Sequence, residues 1–171
     1  MHQAKITSTW PLSRQFLKNQ CSLLCFLYGR EIGVPYSQKK RRGTVIIEML
    51  QGILLVQSRS GVMLLPGGQA EPGESRFAAA IRELHEETGL DAFCALSLFE
   101  YESNSNAHRV VWVRASGIPK PLDDAVALAY CTQNTITTFT TSPATRAILQ
   151  RYWIYKQKHQ VLFDTLQTVE Q

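Results

Sequence analysis

The stretch GGQAEPGESRFAAAIRELHEETGL, residues 67–90, decides how this chain is read. A turn rich in glycine and proline runs into a helical segment that carries Glu83, Glu86 and Glu87 within five residues. At ~100° per residue, Phe77, Ala80, Ile81, Leu84 and Thr88 form one stripe, which must pack against a sheet. Glu83, Glu86 and Glu87 form another, spaced so that their carboxylates converge. Like charges this close oppose the helix, and they lie in its last turns, where the helix dipole already disfavours anions. Gly89 supplies the stop. Glutamate is a good helix former, so a solvated acidic face is the simplest account, but it leaves acids at the wrong end of a short helix. A hard divalent cation removes the difficulty. Mg²⁺ takes oxygen ligands, keeps waters and is shared between carboxylates and substrate phosphates. A carboxylate cluster beside a glycine turn therefore points to metal-assisted phosphate chemistry.

Upstream, TVIIEML and GILLVQS are aliphatic runs joined across Gln51-Gly52, which reads as a hairpin. VMLL, before Pro66, is a further short strand. Downstream, AFCALSLFEYES and HRVVWVRAS read as two strands with their turn at Asn104, Ser105 and Asn106. Pro119 and Pro121 open a loop around Asp123 and Asp124, before a strand near residues 126–130. Ser142-Pro143 pairs an N-cap serine with proline at the first helical position, and the helix continues through Ala147, Ile148, Tyr152 and Tyr155. Interspersed strands and helices give an α/β (α+β) class.

The chain has 171 residues, which is one domain with a sizeable core. Its 44% hydrophobic and 19% charged residues are those of a globular protein rather than a disordered one. A net charge of +4 suits an anionic ligand but is far from a nucleic-acid-binding tail. Nucleic acid is accordingly not the expected partner. Cys21, Cys25, Cys94 and Cys131 show no CxxC pair, so neither a disulfide framework nor a zinc site is expected, and a reducing cytoplasm fits best. No apolar run reaches the ~18–20 residues needed to span a bilayer. Residues 12–28 have helical apolar spacing, and residues 1–40 are read as an N-terminal extension packing on the domain or at a homodimer contact. The cations Lys39 to Arg42 read as a solvated linker before the first core strand, with a phosphate-attracting rim as the rival reading.

The central stretch closely resembles the Nudix box. Gly68, Glu74, Arg82-Glu83-Leu84, Glu86-Glu87, Gly89 and Leu90 match every fixed position of Gx5Ex7REUxEExGU, where U is aliphatic. Several chemically distinct positions at fixed spacing make the signal highly specific. Leu65-Pro66-Gly67 is the usual lead-in. The resemblance implies an α/β/α sandwich with a mixed central sheet over residues 41–157, followed by a polar tail at 158–171. It also implies Mg²⁺- or Mn²⁺-dependent hydrolysis of a nucleoside diphosphate linked to another moiety, by water attack on phosphorus. Position by position, it makes Glu83 and Glu87 the main metal ligands, with Glu86 binding directly or through water and the Gly68 carbonyl as a further ligand. Arg82 would orient Glu83 or Glu74, and Glu74 would either bind metal or brace the loop.

The general base is not fixed by the box. Glu100 and Glu102 on a strand, and Asp123 and Asp124 in the proline-marked loop, are the candidates, with the loop pair favoured. A nucleoside triphosphate and a nucleotide-sugar-like diphosphate both remain open as substrate. No Pro occurs between Gly73 and Pro119, where the resemblance would place one in an ADP-ribose hydrolase. Phe99, Tyr101, Trp112 and Tyr130 could stack a base or lie in the core. Two rivals stand beside the enzyme: a catalytically silent nucleotide-binding sensor, and an isoprenoid diphosphate isomerase, for which the sparse histidines give no constellation.

Overall fold

The sheet is built on one strand, β1 (Lys40–Met49), in which β-branched and aliphatic side chains alternate between two faces. The computed structural model describes residues 39–168. After β1 come β2 (Gly52–Gln57), β3 (Met63–Leu64), helix α1 (Arg76–Thr88), β4 (Asp91–Glu102), β5 (Asn106–Ser116) and β6 (Ala127–Cys131). A single 3-10 turn then leads to α2 (Pro143–Lys158) and α3 (Gln160–Thr168). The hairpin across Gln51-Gly52 is present, with Glu48 opposite Ile53. β4 and β5 pair antiparallel, whereas β1 and β5 run parallel from Lys40–Asn106 to Ile47–Val113. The six-stranded sheet is therefore mixed, in the order β3-β2-β1-β5-β4, with β6 paired along β2.

Alternation along β1 sorts the core. Val45 and Ile47 join Ala80 and Leu84 of α1 and Val111 and Val113 of β5. Ile46 points the other way, to Trp112 and to Ile148, Leu149 and Tyr152 of α2. Helices thus cover both faces, giving the α/β/α sandwich. Ser142 caps α2 by accepting the Thr145 N–H at 3.0 Å, with Pro143 following as the sequence indicated.

Three sequence expectations need correction. Ala80, Leu84 and Thr88 are buried as the helical stripe required, but Phe77 and Ile81 are only half-buried, and Arg76 and Ala79 are buried as well. The cause is Gly43: a Cβ there would lie 2.3 Å from the Ala80 nitrogen, so α1 rests directly on β1 along a line through Arg76 and Ala80. Lys40 to Arg42 are not a linker. They extend β1 and pair with Asn106, Ala107 and His108, whose backbone groups would otherwise lack partners. Nor is the segment after Lys158 merely polar. α3 inserts Phe163, fully buried, edge-on to Trp112 at 5.6 Å and to Tyr152 at 5.9 Å. Its single inward aromatic carries too weak a periodic signal to be read from sequence.

No helix among the described residues is long and apolar enough to cross a membrane. Cys131 is a buried free thiol. The helix expected at 12–28, with Cys21 and Cys25, lies outside the described residues.

Candidate active site

Past the hairpin, β1 changes partner: the loop leading into α1 takes the place of β2. Val45 donates to the Pro66 carbonyl at 2.8 Å, Gly43 to Gly68 at 2.9 Å, and Ala70 to Arg41 at 2.8 Å. The glycine turn is therefore held like a short strand. Ser75 caps α1 by accepting the Ala78 N–H at 3.0 Å. At the other end, the Gly89 N–H bonds to the His85 carbonyl at 2.7 Å. The last two carbonyls of the helix are taken by the proline-marked loop, with Leu122 N–H on Glu87 at 3.0 Å and Lys120 N–H on Thr88 at 2.9 Å. Orphan carbonyls at a helix end need such partners, and here satisfying them docks a loop beside the acids.

Arg82 organises the cluster. Its Nε and Nη2 each bond one oxygen of Glu74 at 3.1 Å, a bidentate grip. Nη1 reaches Glu83 at 3.0 Å and Glu86 at 2.6 Å, and Nη2 also meets the Gln69 carbonyl at 3.2 Å. The Arg82 hydrogen bond holds the Glu74 carboxyl below its ordinary range, despite some desolvation. Both partners the sequence proposed for Arg82, Glu83 and Glu74, are thus contacted. Glu83 lies against the loop: a Cβ on Gly68 would fall 1.8 Å from Glu83 Oε1, so a side chain there would displace the Glu83 carboxylate.

Glu87 turns instead to Gly67, whose N–H donates to Glu87 Oε2 at 2.9 Å. Burial pushes its carboxyl up to about 7, and the charges of Glu83 and Asp123 add to this, while the Gly67 bond and Arg42 oppose it. Glu87 therefore has acids around it and little water. Asp123 holds a left-handed backbone, φ 51°, at the tip of the docked loop. Asp124 pairs outward with Arg59 at 2.7 Å. Glu100 lies between Arg76 at 3.0 Å and Arg109 at 2.6 Å, and Glu102 pairs with Lys39 at 2.7 Å. Of the four acids outside the box considered as base, Asp123 is the one whose charge acts on Glu87.

The Gly68 carbonyl, expected as a ligand, commits one of its two lone pairs to Gly43. Among the described residues no three acidic, His or Cys side chains are gathered closely enough to form a ready-made metal cage. The donor set is nonetheless one of carboxylate oxygens at the glycine turn, with Glu83 against Gly68 and Glu87 bonded to Gly67. Such donors suit a hard divalent cation that keeps waters and completes its shell with substrate oxygens.

A cleft of about 430 Å³ opens on the α2 face of the sheet, lined by Arg42, Thr44, Leu65, Tyr101, His108 and Thr145 among others. Thr44 Oγ1 lies 2.9 Å from His108 Nδ1. Arg42 Nη2 also donates to the Gly67 carbonyl, so one side chain joins the cleft to the glycine turn. Sequence reasoning missed Thr44 and His108, and it took Arg42 only as one of a run of cations, with a phosphate-attracting rim as the rival to a linker. The signal was there: Arg42 and Thr44 share a strand face with core residue Ile46, where polar groups call for a reason. Of the four aromatics considered for base stacking, Tyr101 lines the cleft, Phe99 and Trp112 are core, and Tyr130 packs against the α1-side cluster.

An acidic loop–helix–loop held on a mixed sheet between helical layers defines a class of phosphate-handling α/β/α domains. The sequence model of the NUDIX domain matches residues 38–152, and the chain belongs to that family. A solved structure from Chromobacterium violaceum, described as a candidate nudix hydrolase family member, is 35% identical, covering 78% of this chain and 94% of its own, with a TM-score of 0.68. A MutT structure from work on Aliivibrio salmonicida and Vibrio cholerae is 20% identical over 66% of this chain and 94% of its own, TM-score 0.56. Its likeness concerns the fold. A Bacillus subtilis (strain 168) protein whose name proposes 8-oxo-dGTP diphosphatase activity is 43% identical over 60 residues. That match spans 34% of this chain and 40% of the relative's length.

Proposed function

We propose that this chain hydrolyses a phosphoanhydride bond of a nucleoside diphosphate derivative, with a nucleoside triphosphate as the favoured substrate, in the presence of Mg²⁺ or Mn²⁺. The observation that carries this reading is Glu83 set against Gly68 and Glu87 bonded to Gly67, with the charge of Asp123 acting on Glu87, next to a cleft of nucleoside size. The partial likeness to a relative named for 8-oxo-dGTP supports a triphosphate over a nucleotide sugar.

Glu83 and Glu87, with Glu86 and the Gly68 carbonyl at the margin, would hold the divalent cation. When bound, the cation supplies charge neutralisation of the diphosphate and acidifies water. Arg82 fixes the rotamers of Glu83 and Glu86 through its grip on Glu74, so these donors are positioned before substrate arrives. Asp123 is the base of choice, taking the proton of the attacking water on its carboxylate. Its support is the pair of backbone bonds that dock its loop on the last turn of α1. The cleft takes the nucleoside, with Tyr101 and Leu65 as apolar walls and Thr44 and His108 as hydrogen-bonding groups.

The test is release of pyrophosphate and orthophosphate from a panel of nucleoside triphosphates and nucleotide sugars, with Mg²⁺, Mn²⁺ or chelator. Turnover of triphosphates that stops with chelator is the expected result. Turnover that survives chelation would sink the metal-dependent reading. Tight nucleotide binding with no turnover across the panel would favour the silent sensor instead.

A further inference from the structure

The basic run at the start of β1 is not used by the reaction as described, and one member of it stands apart. Arg42 points to the cleft face of the sheet, and among the described lining residues it is the one permanent cation. Its guanidinium donates to the Gly67 carbonyl. No carboxylate among the described residues lies within ion-pair distance of it, whereas Arg82 gives its donors to Glu74, Glu83, Glu86 and Gln69. We infer that Arg42 is a substrate-binding residue whose guanidinium holds the phosphate nearest the nucleoside, where the substrate passes from the cleft to the acidic box. This rests on the functional reading above and deepens it.

The chemistry favours a ligand contact over a mere strut. An arginine has five N–H donors in a rigid fork matched to phosphate oxygens, and holding one carbonyl uses only one of them. A nucleotide entering this site meets Glu83, Glu87 and Asp123 on one side, so an anionic ligand needs a cation at the junction. The neighbouring His108 does not supply it. Burial, with Arg42 adding to it, keeps that imidazole neutral down to about 4, so it serves as a hydrogen-bonding group. Arg42 is also placed at the correct junction, since Gly67 links it directly to Glu87.

The experiment measures binding in chelator, so that no phosphate contact runs through a metal. Each of the four deoxynucleosides and its 5′-monophosphate is titrated into wild type, Arg42→Gln and Arg42→Lys. In wild type, the best-bound nucleoside should gain roughly tenfold in affinity from its 5′-phosphate, as a charge-assisted contact gives. In Arg42→Gln the gain should shrink to less than about twofold with nucleoside affinity unchanged, and Arg42→Lys should restore part of it. A phosphate gain that persists in Arg42→Gln would overturn the inference. So would equal loss of nucleoside and monophosphate affinity, which marks Arg42 as a strut for the loop, or a wild type that shows no phosphate gain. The functional reading fails separately: an Arg42-dependent phosphate gain in a protein that turns over no triphosphate would remove the hydrolysis and leave Arg42 in place.

Discussion

Gly67 donates its backbone N–H to the Glu87 carboxylate at 2.9 Å, tying the glycine turn to the last turn of α1. The bond holds in place a carboxyl that burial and two acidic neighbours push up to about 7. Glu87→Gln keeps an oxygen for the Gly67 N–H and removes a charge. We expect the metal-free variant to melt at or above the wild-type temperature, while kcat falls by at least ~10²-fold through loss of an anionic ligand. Calorimetry and a steady-state assay check the two halves, and near-normal kcat would show that Glu87 is not a ligand.

Arg82→Lys tests the hub. A lysine is a point charge and cannot grip Glu74 with two bonds while also reaching Glu83 and Glu86. Stability should fall by about 1–2 kcal/mol, since the pairs are only partly buried. The kcat/KM should drop at least about tenfold as the carboxylates lose their positions. A variant matching wild type in denaturant titration and in kcat/KM would remove Arg82 from its organising role.

Asp123 and Asp124 are adjacent in sequence but differ in surroundings. Asp124 forms an exposed pair with Arg59, worth about 0–1 kcal/mol, so Asp124→Asn should leave both stability and turnover within about twofold. Asp123→Asn keeps a residue that tolerates the left-handed backbone, yet it should lose ~10²-fold or more in kcat. Equal effects from the two substitutions would contradict the assignment of the base.

His108 makes stability pH-dependent. Its neutral ring is buried against Thr44 and near Arg42, with its folded-state pKa lowered to about 4 from 6.5. Between those values the unfolded chain binds the proton and the folded one does not, so stability falls as pH drops through 6.5 and levels off below about 4. The full contribution is about 3 kcal/mol. Denaturant titrations of wild type and His108→Asn from pH 8 to pH 4 isolate it, because titration of the box acids is common to both. A constant gap between the two curves would refute the assignment.

Much of this was open to sequence reading because it is local and periodic. The box spacing fixed which acids share a helix side, and the runs around Gln51-Gly52 and Asn104 marked the hairpins. Even so, the buried line of α1 took in Arg76 and Ala79 beside Ala80, Leu84 and Thr88, because Gly43, more than 30 residues away, lets the helix rest on β1. Phe163 was passed over for the same kind of reason: one aromatic in a polar segment becomes core only when Trp112 and Tyr152 surround it.

The sequence by itself determined the family, the acidic helix and its stop, since those depend on residue type at short fixed intervals. Only the tertiary structure decided that the charge of Asp123 acts on Glu87 while Asp124 pairs with Arg59, and that Arg42 joins a cleft to the glycine turn. Those relations depend on the β1–β5 parallel register and on the loop docked at the end of α1. Such long-range pairings are set by the packing of the whole sheet, and no local pattern of charge or hydrophobicity encodes them.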